Sequence, residues 1–426
     1  MQLSAAEQSL VERIKQKIPR ISSGDPNCAL FGAKQWKYQW PPAVSEETLL
    51  AFEQQSGVSL PRVYRIFLRY IANGGPCYGY GYGLWPIEQC PVQGLLPVDN
   101  MLPLRLTQLD IQQIQAIAVS DEGNHPVYNG LLQIGCNGIY LVVTGQYRGR
   151  LLRSSFDSDF PVTSETFQFL YDADFLSWYE RWLDEIVAGM DMETFGTDVP
   201  GSQAQLRTLF MATQNNDALS SLARFPLAEP ETLALWESVC RTDKDPAPGN
   251  IALKALINAR AECVPEIVHL QLSMPGAYQD NAVQLLRLAD KKGFPLALFT
   301  RQLVRHLAEV TDVTAFAEAV QLIQQSEFNC CETFAPIFQH VSWKNVLWLT
   351  WGITQAKDFA TQDWHVALFE PLFKHPDSEI CKQAIYALFG VRDPRVPAWV
   401  DYAAMRFPDL TSLRHDYYRR TWEVEE

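Results

Sequence analysis

Histidine and cysteine are the side chains in this sequence best suited to bind a metal or to act as nucleophiles. The histidines are His125, His269, His306, His340, His365, His375 and His415. They form no His-Glu-x-x-His pair, and the nine cysteines form no Cys-x-x-Cys pair, so a zinc site has no support. The sequence also lacks a Gly-x-Ser-x-Gly elbow and a Walker phosphate loop. It therefore predicts no catalytic residue, no metal and no cofactor.

Glycine alternates with tyrosine over residues 79–83, a composition that invites comparison with a phosphate-binding loop. A phosphate loop follows a strand and opens a helix, whereas this run follows a predicted helix and leads into residues 84–86. The interleaved aromatic residues have two interpretations. Tyr80, Tyr82 and Trp85 are either anchors on a protein-binding surface, where Tyr and Trp are enriched, or partly buried core residues.

Acidic residues are concentrated between residues 157 and 198, where they greatly outnumber the one basic residue, Arg181. The formal net charge of the whole chain is −14, which disfavours direct nucleic-acid binding, because phosphates require concentrated Lys and Arg. Such charge favours a basic protein partner and speeds its association. The candidate steering charges are Asp157, Asp159, Asp172, Asp174, Asp184 and Glu185. The alternative is that these acids form an ordinary solvated helix face.

A helix with an abrupt stop must position the aromatic run. Pro61 follows Leu60 and suits a first helical position, and the apolar residues after it recur at three-and-four spacing. Asn73-Gly74-Gly75 then supplies backbone that tolerates positive φ, and Pro76 prevents the helix from resuming. The chain must therefore turn at this point.

Strands are predicted next, between residues 131 and 152. Strand-forming runs flank Asn137-Gly138, a strong hairpin signal, and a second turn at Arg148-Gly149 predicts a three-stranded meander. An apolar stripe from Phe167 to Ile186 then predicts a long helix that closes the first domain. The predicted N-cap of that helix is Thr163 or Ser164.

The order of these elements resembles the core signature of the SUKH superfamily, which includes fungal cell-wall regulators and many bacterial immunity proteins. The resemblance covers roughly the first 190 residues: a leucine-proline start, an aromatic helix, an Asn-Gly-Gly stop and a glycine-rich run into Leu-x-Pro. Its matching residues, assigned to folding, are Leu60, Pro61, Tyr64, Asn73, Gly74, Gly75, Gly138 and Gly149. It implies an α+β domain, with an antiparallel or mixed sheet flanked by helices, that docks on a bacterial toxin domain.

The sequence changes character after residue 202, where helical periodicity with short Pro- or Gly-containing breaks replaces strand patterns. Residues 364–404 read as a helix, a His-Pro-Asp-Ser turn and a second helix, which looks like a HEAT-type hairpin. We therefore predict an all-α, HEAT-like domain over residues 202–426. The first domain is predicted over residues 1–188, and the linker over residues 189–201.

The odd number of cysteines suits a reducing cytoplasm, and no apolar run is long enough to span a membrane. With the resemblance, these features predict a cytoplasmic, non-catalytic immunity protein. It would bind and neutralise a polymorphic or contact-dependent toxin domain, and its acidity would suit a basic nuclease. The long helical extension supports an alternative, an interaction scaffold that uses both domains. An enzyme with an unrecognised site is a third hypothesis.

Overall fold

The chain folds into two compact units, Met1–Glu229 and Pro230–Glu426. The structure, a computed structural model, describes residues 1–30, 33–77, 83–91, 112, 130–135, 138–154, 167–242, 245–326, 330–335, 343–355, 359 and 363–422. In these residues the first unit combines helices with a small antiparallel sheet, and the second unit is helical. The predicted α+β class with a helical C-terminal region is confirmed at this level.

Helices precede and follow the sheet of the first unit. They are α1 (Ala5–Lys17), α2 (Ile21–Gly24), α3 (Ala33–Trp36), α4 (Glu46–Ser56), α5 (Arg62–Tyr70), α6 (Phe175–Val187), α7 (Gln203–Thr213) and α8 (Asn216–Leu222), with 3-10 turns at Ile18–Arg20 and Ile87–Gln89. Helix α5 has the predicted amphipathic character, but Pro61 is its N-cap residue and Arg62 its first helical residue. The extended backbone of Pro61, with ψ of 138°, explains this shift.

Four strands form the sheet in chain order. They are β1 (Leu131–Gln133), β2 (Ile139–Val142), β3 (Leu151–Ser154) and β4 (Phe167–Phe169). All neighbouring pairs are antiparallel, with Leu132 opposite Leu141 and Tyr140 opposite Leu152. Gly138 and Gly149 adopt positive φ values of 71° and 97° in the turns before and after β2. The predicted hairpin and second turn are confirmed, and β4 extends the meander by one strand.

The helix predicted from Phe167 begins only at Phe175. Phe167–Phe169 form β4, and Asp174 caps α6 by accepting a hydrogen bond from the backbone N–H of Ser177 at 2.9 Å. Aromatic residues at 167, 171 and 175 extend the four-residue apolar spacing of α6 toward the N-terminus. This spacing alone therefore could not distinguish a strand and loop from a longer helix. The predicted caps, Thr163 and Ser164, lie outside the described residues.

Aromatic rings of α5 and α6 build the centre of the first unit. Phe67 lies 5.1 Å from Phe175 and 4.7 Å from Tyr179 between ring centroids, in both cases edge to face. Tyr64 meets Phe175 edge to face at 4.9 Å. All four side chains are buried, so α5 is fixed against α6 by edge-to-face contacts that aromatic rings prefer.

The first unit continues beyond the predicted linker at 189–201. Met192 and Phe195 are buried in the same core as α6, and helices α7 and α8 belong to this unit. The glycines that indicated a linker form turns within a packed segment, since Gly189 and Gly196 have φ of 69° and 92°. The unit therefore ends at Glu229 and not at residue 188.

A capping box starts α1 and links it to α5. Ser4 Oγ accepts from the N–H of Glu7, the Ser4 N–H donates to the Glu7 carboxylate at 2.7 Å, and Arg62 donates to the same carboxylate at 2.6 Å. These bonds, Arg62 first, lower the pKa of Glu7 to about 2. Since the pKa is lowered in the folded chain, this stabilisation is present above the ordinary carboxyl pKa and is lost as the pH falls toward about 2.

We therefore expect the Glu7 carboxylate to titrate near pH 2 in the native protein. A carbon-detected NMR titration measures this directly, and Arg62→Met should move the midpoint upward toward that of an ordinary glutamate. A midpoint of Glu7 that is ordinary in the native protein and unmoved by Arg62→Met would contradict the pairing.

Paired helices make up the second unit. They are α9 (Pro230–Thr242), α10 (Pro246–Ala259), α11 (Val264–Leu272), α12 (Ala277–Lys291), α13 (Thr300–His306), α14 (Val313–Gln324), α15 (Cys330–Phe334), α16 (Trp343–Thr354), α17 (Asp363–Ala367), α18 (Glu370–Phe373), α19 (Ser378–Ala387), α20 (Val396–Arg406) and α21 (Thr411–Thr421), with 3-10 turns at Leu296–Leu298, Leu307–Glu309 and Pro408–Leu410. In the clearest predicted hairpin, Asp377 of the His-Pro-Asp-Ser turn caps α19 by accepting from the N–H of Glu379.

The helices of the second unit stack in two layers. One layer is a succession of packed neighbours, α10, α12, α14, α16, α19 and α21. The other layer contains α9, α11 and α13, and later α18 and α20, each of which also packs against its partner in the first layer. Each hairpin thus buries its apolar faces against the next one, which is how stacked helical hairpins are stabilised.

Candidate partner-binding surfaces

Two of the predicted steering acids are buried in an ion cluster of the first unit. The ion cluster comprises Asp172, Arg181, Glu185, Asp198 and Arg224. The Arg181 guanidinium lies 2.7 Å from Asp172, 2.8 Å from Glu185 and 3.1 Å from Asp198. Arg224 pairs with Glu185 at 2.5 Å and also with Asp198.

The surroundings of the ion cluster give it a structural role. Arg181 Cζ lies 4.3 Å from the centroid of the buried Phe195 ring, a cation–π contact. Burial alone lowers the pKa of Arg181, but the bonds and charges of the three carboxylates raise it above its ordinary value. Asp172 and Glu185 are therefore internal ion-pair partners, and the prediction that they act as exposed steering charges is corrected.

The remaining predicted steering acids differ in their positions and partners. Asp174 is the N-cap of α6, so its carboxylate serves the helix. Asp184 is exposed, with 54% of its side chain accessible, but it lies 2.8 Å from Lys17 of α1. Asp157 and Asp159 lie outside the described residues. The negative charge of α6 is thus largely neutralised by basic side chains of the same unit.

The glycine motif forms a tight bridge. Gly75 and Leu84 exchange two backbone hydrogen bonds of 3.0 and 2.8 Å. Gly74 has φ of 87°, and a Cβ there would lie 2.7 Å from the Leu84 carbonyl oxygen, so only glycine fits. Asn73 accepts from the Ile87 N–H and donates to Glu88, both at 2.9 Å. These contacts agree with a structural role for Asn73, Gly74 and Gly75.

Partly exposed aromatic side chains border the glycine bridge. The aromatic frame consists of Trp36, Tyr38, Trp40 and Trp85, each of them half-buried. A Cβ on Gly83 would lie 2.8 Å from the Trp36 indole nitrogen, and one on Gly75 would lie 3.4 Å from Trp40. Two tryptophans therefore lie directly against the bridge. Of the predicted anchors, Trp85 belongs to this frame, while Tyr80 and Tyr82 lie outside the described residues.

Hydrogen bonds fix the orientation of the frame. Trp40 donates from its indole N–H to the Tyr179 hydroxyl at 2.7 Å, and that hydroxyl donates to the Pro76 carbonyl at 2.9 Å. Tyr38 donates to Asp25 at 2.6 Å. Burial raises the pKa of Tyr38, and its bond to the Asp25 carboxylate raises it further. Both rings are therefore held by buried or half-buried polar partners.

One residue of the frame, Tyr38, lies on a strained backbone. Lys37 and Tyr38 have φ of 45° and 52°, and Cys28 has φ of 48°. Residues other than glycine pay an energetic cost in this region, and such strain collects at functional sites. The sequence analysis did not select Trp36, Tyr38 or Trp40. Their alternating aromatic pattern next to two prolines was the available signal.

A second aromatic surface lies between α16 and α19 in the second unit. The cleft there has a volume of about 300 Å³. Its lining includes Trp351, Thr354, Gln355, Gln383, Tyr386 and Phe389. Trp351 and Tyr386 are 38% and 48% exposed, although large aromatic residues usually bury more of their surface. The cleft combines aromatic rings with neutral hydrogen-bonding groups, the composition of a binding pocket.

The described residues contain no group of His, Cys, Asp and Glu arranged to hold a metal ion. Within the same residues, no helix is both long and apolar enough to cross a membrane. No protein-family model, no curated protein and no solved structure matches the chain.

Proposed function

We propose that this protein is a non-catalytic, immunity-type binding protein that neutralises a toxin domain by stoichiometric association. The observation that carries the proposal is the aromatic frame, in which half-buried rings are held by hydrogen bonds and by the strained backbone at Lys37 and Tyr38. Preorganised Trp and Tyr side chains bind with little loss of conformational entropy and dominate the energetics of protein interfaces. The frame is therefore the proposed contact surface of the first unit.

The order of elements supports the assignment of the first unit to the SUKH type. An aromatic helix, α5, is followed by an Asn-Gly-Gly turn, a meander with glycine at its turns and a closing helix, α6. This is the order on which the sequence resemblance rests. In this proposal Leu60, Pro61 and Tyr64 are folding residues, in accord with the burial of all three.

Charge supports a basic partner for the chain as a whole, since its net charge is −14. The support does not extend to the ion cluster, whose carboxylates are neutralised internally. A basic nuclease domain is the class of toxin that this charge favours, because such enzymes hold phosphates with Lys and Arg. We propose a cytoplasmic location for the complex.

The alternative function is an interaction scaffold. It is favoured by the second unit, whose two-layered stack we propose to be HEAT-like. Stacked helical hairpins offer extended surfaces for protein binding. In this alternative, each unit binds a different protein.

Affinity capture from native cells tests the proposal. We expect the tagged full-length chain to retain one basic enzyme domain at a bait-to-prey ratio near one. Trp36→Ala should weaken that association by about tenfold, the scale of an interface hot spot. Tyr402→Ala removes an exposed aromatic side chain from the second unit and serves as the control.

The outcomes of the capture separate the hypotheses. Several unrelated proteins in place of one would favour the scaffold. An enzyme domain retained equally by the native chain and by Trp36→Ala would remove the aromatic frame from the interface. A bait that retains nothing would contradict the binding function.

A further inference from the structure

We propose that the hydroxyl of Tyr179, a residue of α6, is the positioning group that holds Trp40 in the orientation in which the aromatic frame binds its partner. This inference rests on the proposed function and goes beyond it, because it gives a role in binding to a residue that no partner can touch. Tyr179 is fully buried, and its ring belongs to the core of the first unit. It therefore acts through Trp40 and not by contact.

The Tyr179 hydroxyl uses its proton and a lone pair on two partners. It accepts a hydrogen bond from the indole N–H of Trp40 at 2.7 Å and donates one to the Pro76 carbonyl at 2.9 Å. An indole N–H can only donate and a carbonyl can only accept, so the two bonds have one possible direction. Burial raises the pKa of Tyr179 above its ordinary value, which keeps the donated proton in place. The hydroxyl is therefore fixed in orientation as well as in position.

Neighbouring rings hold the Tyr179 ring from the core side. Between ring centroids, Phe67 lies 4.7 Å away edge to face, and Trp182 lies 5.4 Å away. Phe175 stacks on the same ring at 5.9 Å. Because the ring cannot shift without disturbing these contacts, its hydroxyl presents Trp40 with an acceptor at a fixed place.

The same hydroxyl connects Trp40 to the glycine bridge. Pro76, whose carbonyl accepts its proton, directly follows Gly75, and Gly75 exchanges two backbone hydrogen bonds with Leu84. Trp85 of the frame is the next residue after Leu84. One buried oxygen thus ties the ring of Trp40 to the backbone that carries Trp85.

Tyr64 is a second core tyrosine, but it lacks this connection. Its ring is also fully buried, and it meets Phe175 edge to face at 4.9 Å. Within the described residues, its hydroxyl has the Cys90 thiol beside it and forms no hydrogen bond with a residue of the frame. Tyr64→Phe and Tyr179→Phe each remove one buried hydroxyl and keep the ring. Tyr64→Phe is therefore the matched control.

NMR spectra of the indole N–H groups in the free full-length chain test the positioning step. With isotope-labelled tryptophan, the Trp40 resonance is identified by its loss in Trp40→Phe. We expect Tyr179→Phe to move this resonance and to speed the exchange of its proton with solvent, because the donor loses its acceptor. Tyr64→Phe should leave it in place. A Trp40 resonance that is unchanged in Tyr179→Phe would overturn the proposal.

Affinity for the captured partner tests the consequence for binding. We expect Tyr179→Phe to weaken the association about three- to tenfold, the scale of one hydrogen bond, and Tyr64→Phe to leave it unchanged. In a Trp40→Phe background, Tyr179→Phe should cost little further affinity, because the hydroxyl then has no indole N–H to hold.

Three results of the affinity measurement would overturn the proposal. They are equal losses in Tyr179→Phe and Tyr64→Phe, a loss in Tyr179→Phe that is the same with and without the Trp40 indole, and an unchanged affinity despite a moved indole resonance. A native chain that captures no partner would contradict the proposed function itself. The indole spectra need no partner, so they separate that failure from a failure of the positioning step.

Discussion

Gly138→Val should destabilise the first unit by about 3 kcal/mol or more. A Cβ at this position would lie 1.4 Å from the carbonyl oxygen of Ser154, and the residue has φ of 71°. The atom that the Cβ would overlap is a backbone carbonyl oxygen, which cannot move aside as a flexible side chain can. The Ser154 N–H also donates to the Gly138 carbonyl at 2.7 Å, which holds the two residues together. Valine would therefore force β2 and β3 apart at the end of the pair that lies opposite their connecting turn.

Gly57→Val separates steric overlap from conformational strain. Gly57 ends α4 with φ of 70°, close to that of Gly138, but no atom lies within 4 Å of a Cβ built there. We expect it to cost only the strain of about 1–2 kcal/mol. Urea unfolding, with hydrogen exchange of β2 and β3 as a local probe, measures both variants. Equal losses of unfolding free energy in Gly138→Val and Gly57→Val would contradict the close contact between Gly138 and Ser154.

Arg224→Met should cost about 3–5 kcal/mol, because it removes one partner from buried ion pairs. Glu185 and Asp198 would share the single guanidinium of Arg181, and Asp198 is almost fully buried. Arg224 also donates to the carbonyl of Asp191 at 2.7 Å. We therefore expect residues 191–224 to become sensitive to limited proteolysis in this variant.

Arg13→Met provides the comparison with a surface ion pair. Arg13 is half-exposed and lies 3.0 Å from Glu180, which keeps Lys17 as a second partner at 2.7 Å. The expected cost is below about 1 kcal/mol, since exposed pairs are screened by water. Chemical unfolding of both variants gives the comparison. A loss for Arg224→Met as small as that for Arg13→Met would show that the ion cluster does not hold the segment.

Local signals predicted the parts of the fold that are close in sequence. Gly138 and Gly149 indicated the turns of the meander, because positive φ at a short turn is a property of one or two residues. Asn73-Gly74-Gly75 indicated, for the same reason, the turn that follows α5, where Gly74 and Gly75 have positive φ; the helix itself already ends at Tyr70. The boundary between β4 and α6 was wrong, since aromatic residues spaced by four fit a helix as well as a strand and loop.

The ion pairs of the buried acids could not be predicted from the sequence. Glu185 and Arg224 are distant in the chain, and nothing in their local pattern distinguishes them from solvated charges. The predicted surface role of Asp172 and Glu185 failed because tertiary packing decides whether a charge on a helix is buried. The strain at Lys37 and Tyr38 also depends on the packing around the glycine bridge. The strain at Lys37 and Tyr38 is therefore seen only in the folded chain.

The central claim is that this protein neutralises a partner by binding it, and an activity titration of the captured enzyme domain tests it most directly. Increasing amounts of the purified full-length chain should reduce the partner's activity linearly, with complete inhibition at one equivalent. Trp36→Ala should require a clear excess to reach the same inhibition. Activity that persists at excess, or that disappears at strongly substoichiometric amounts, would contradict inhibition by one-to-one association.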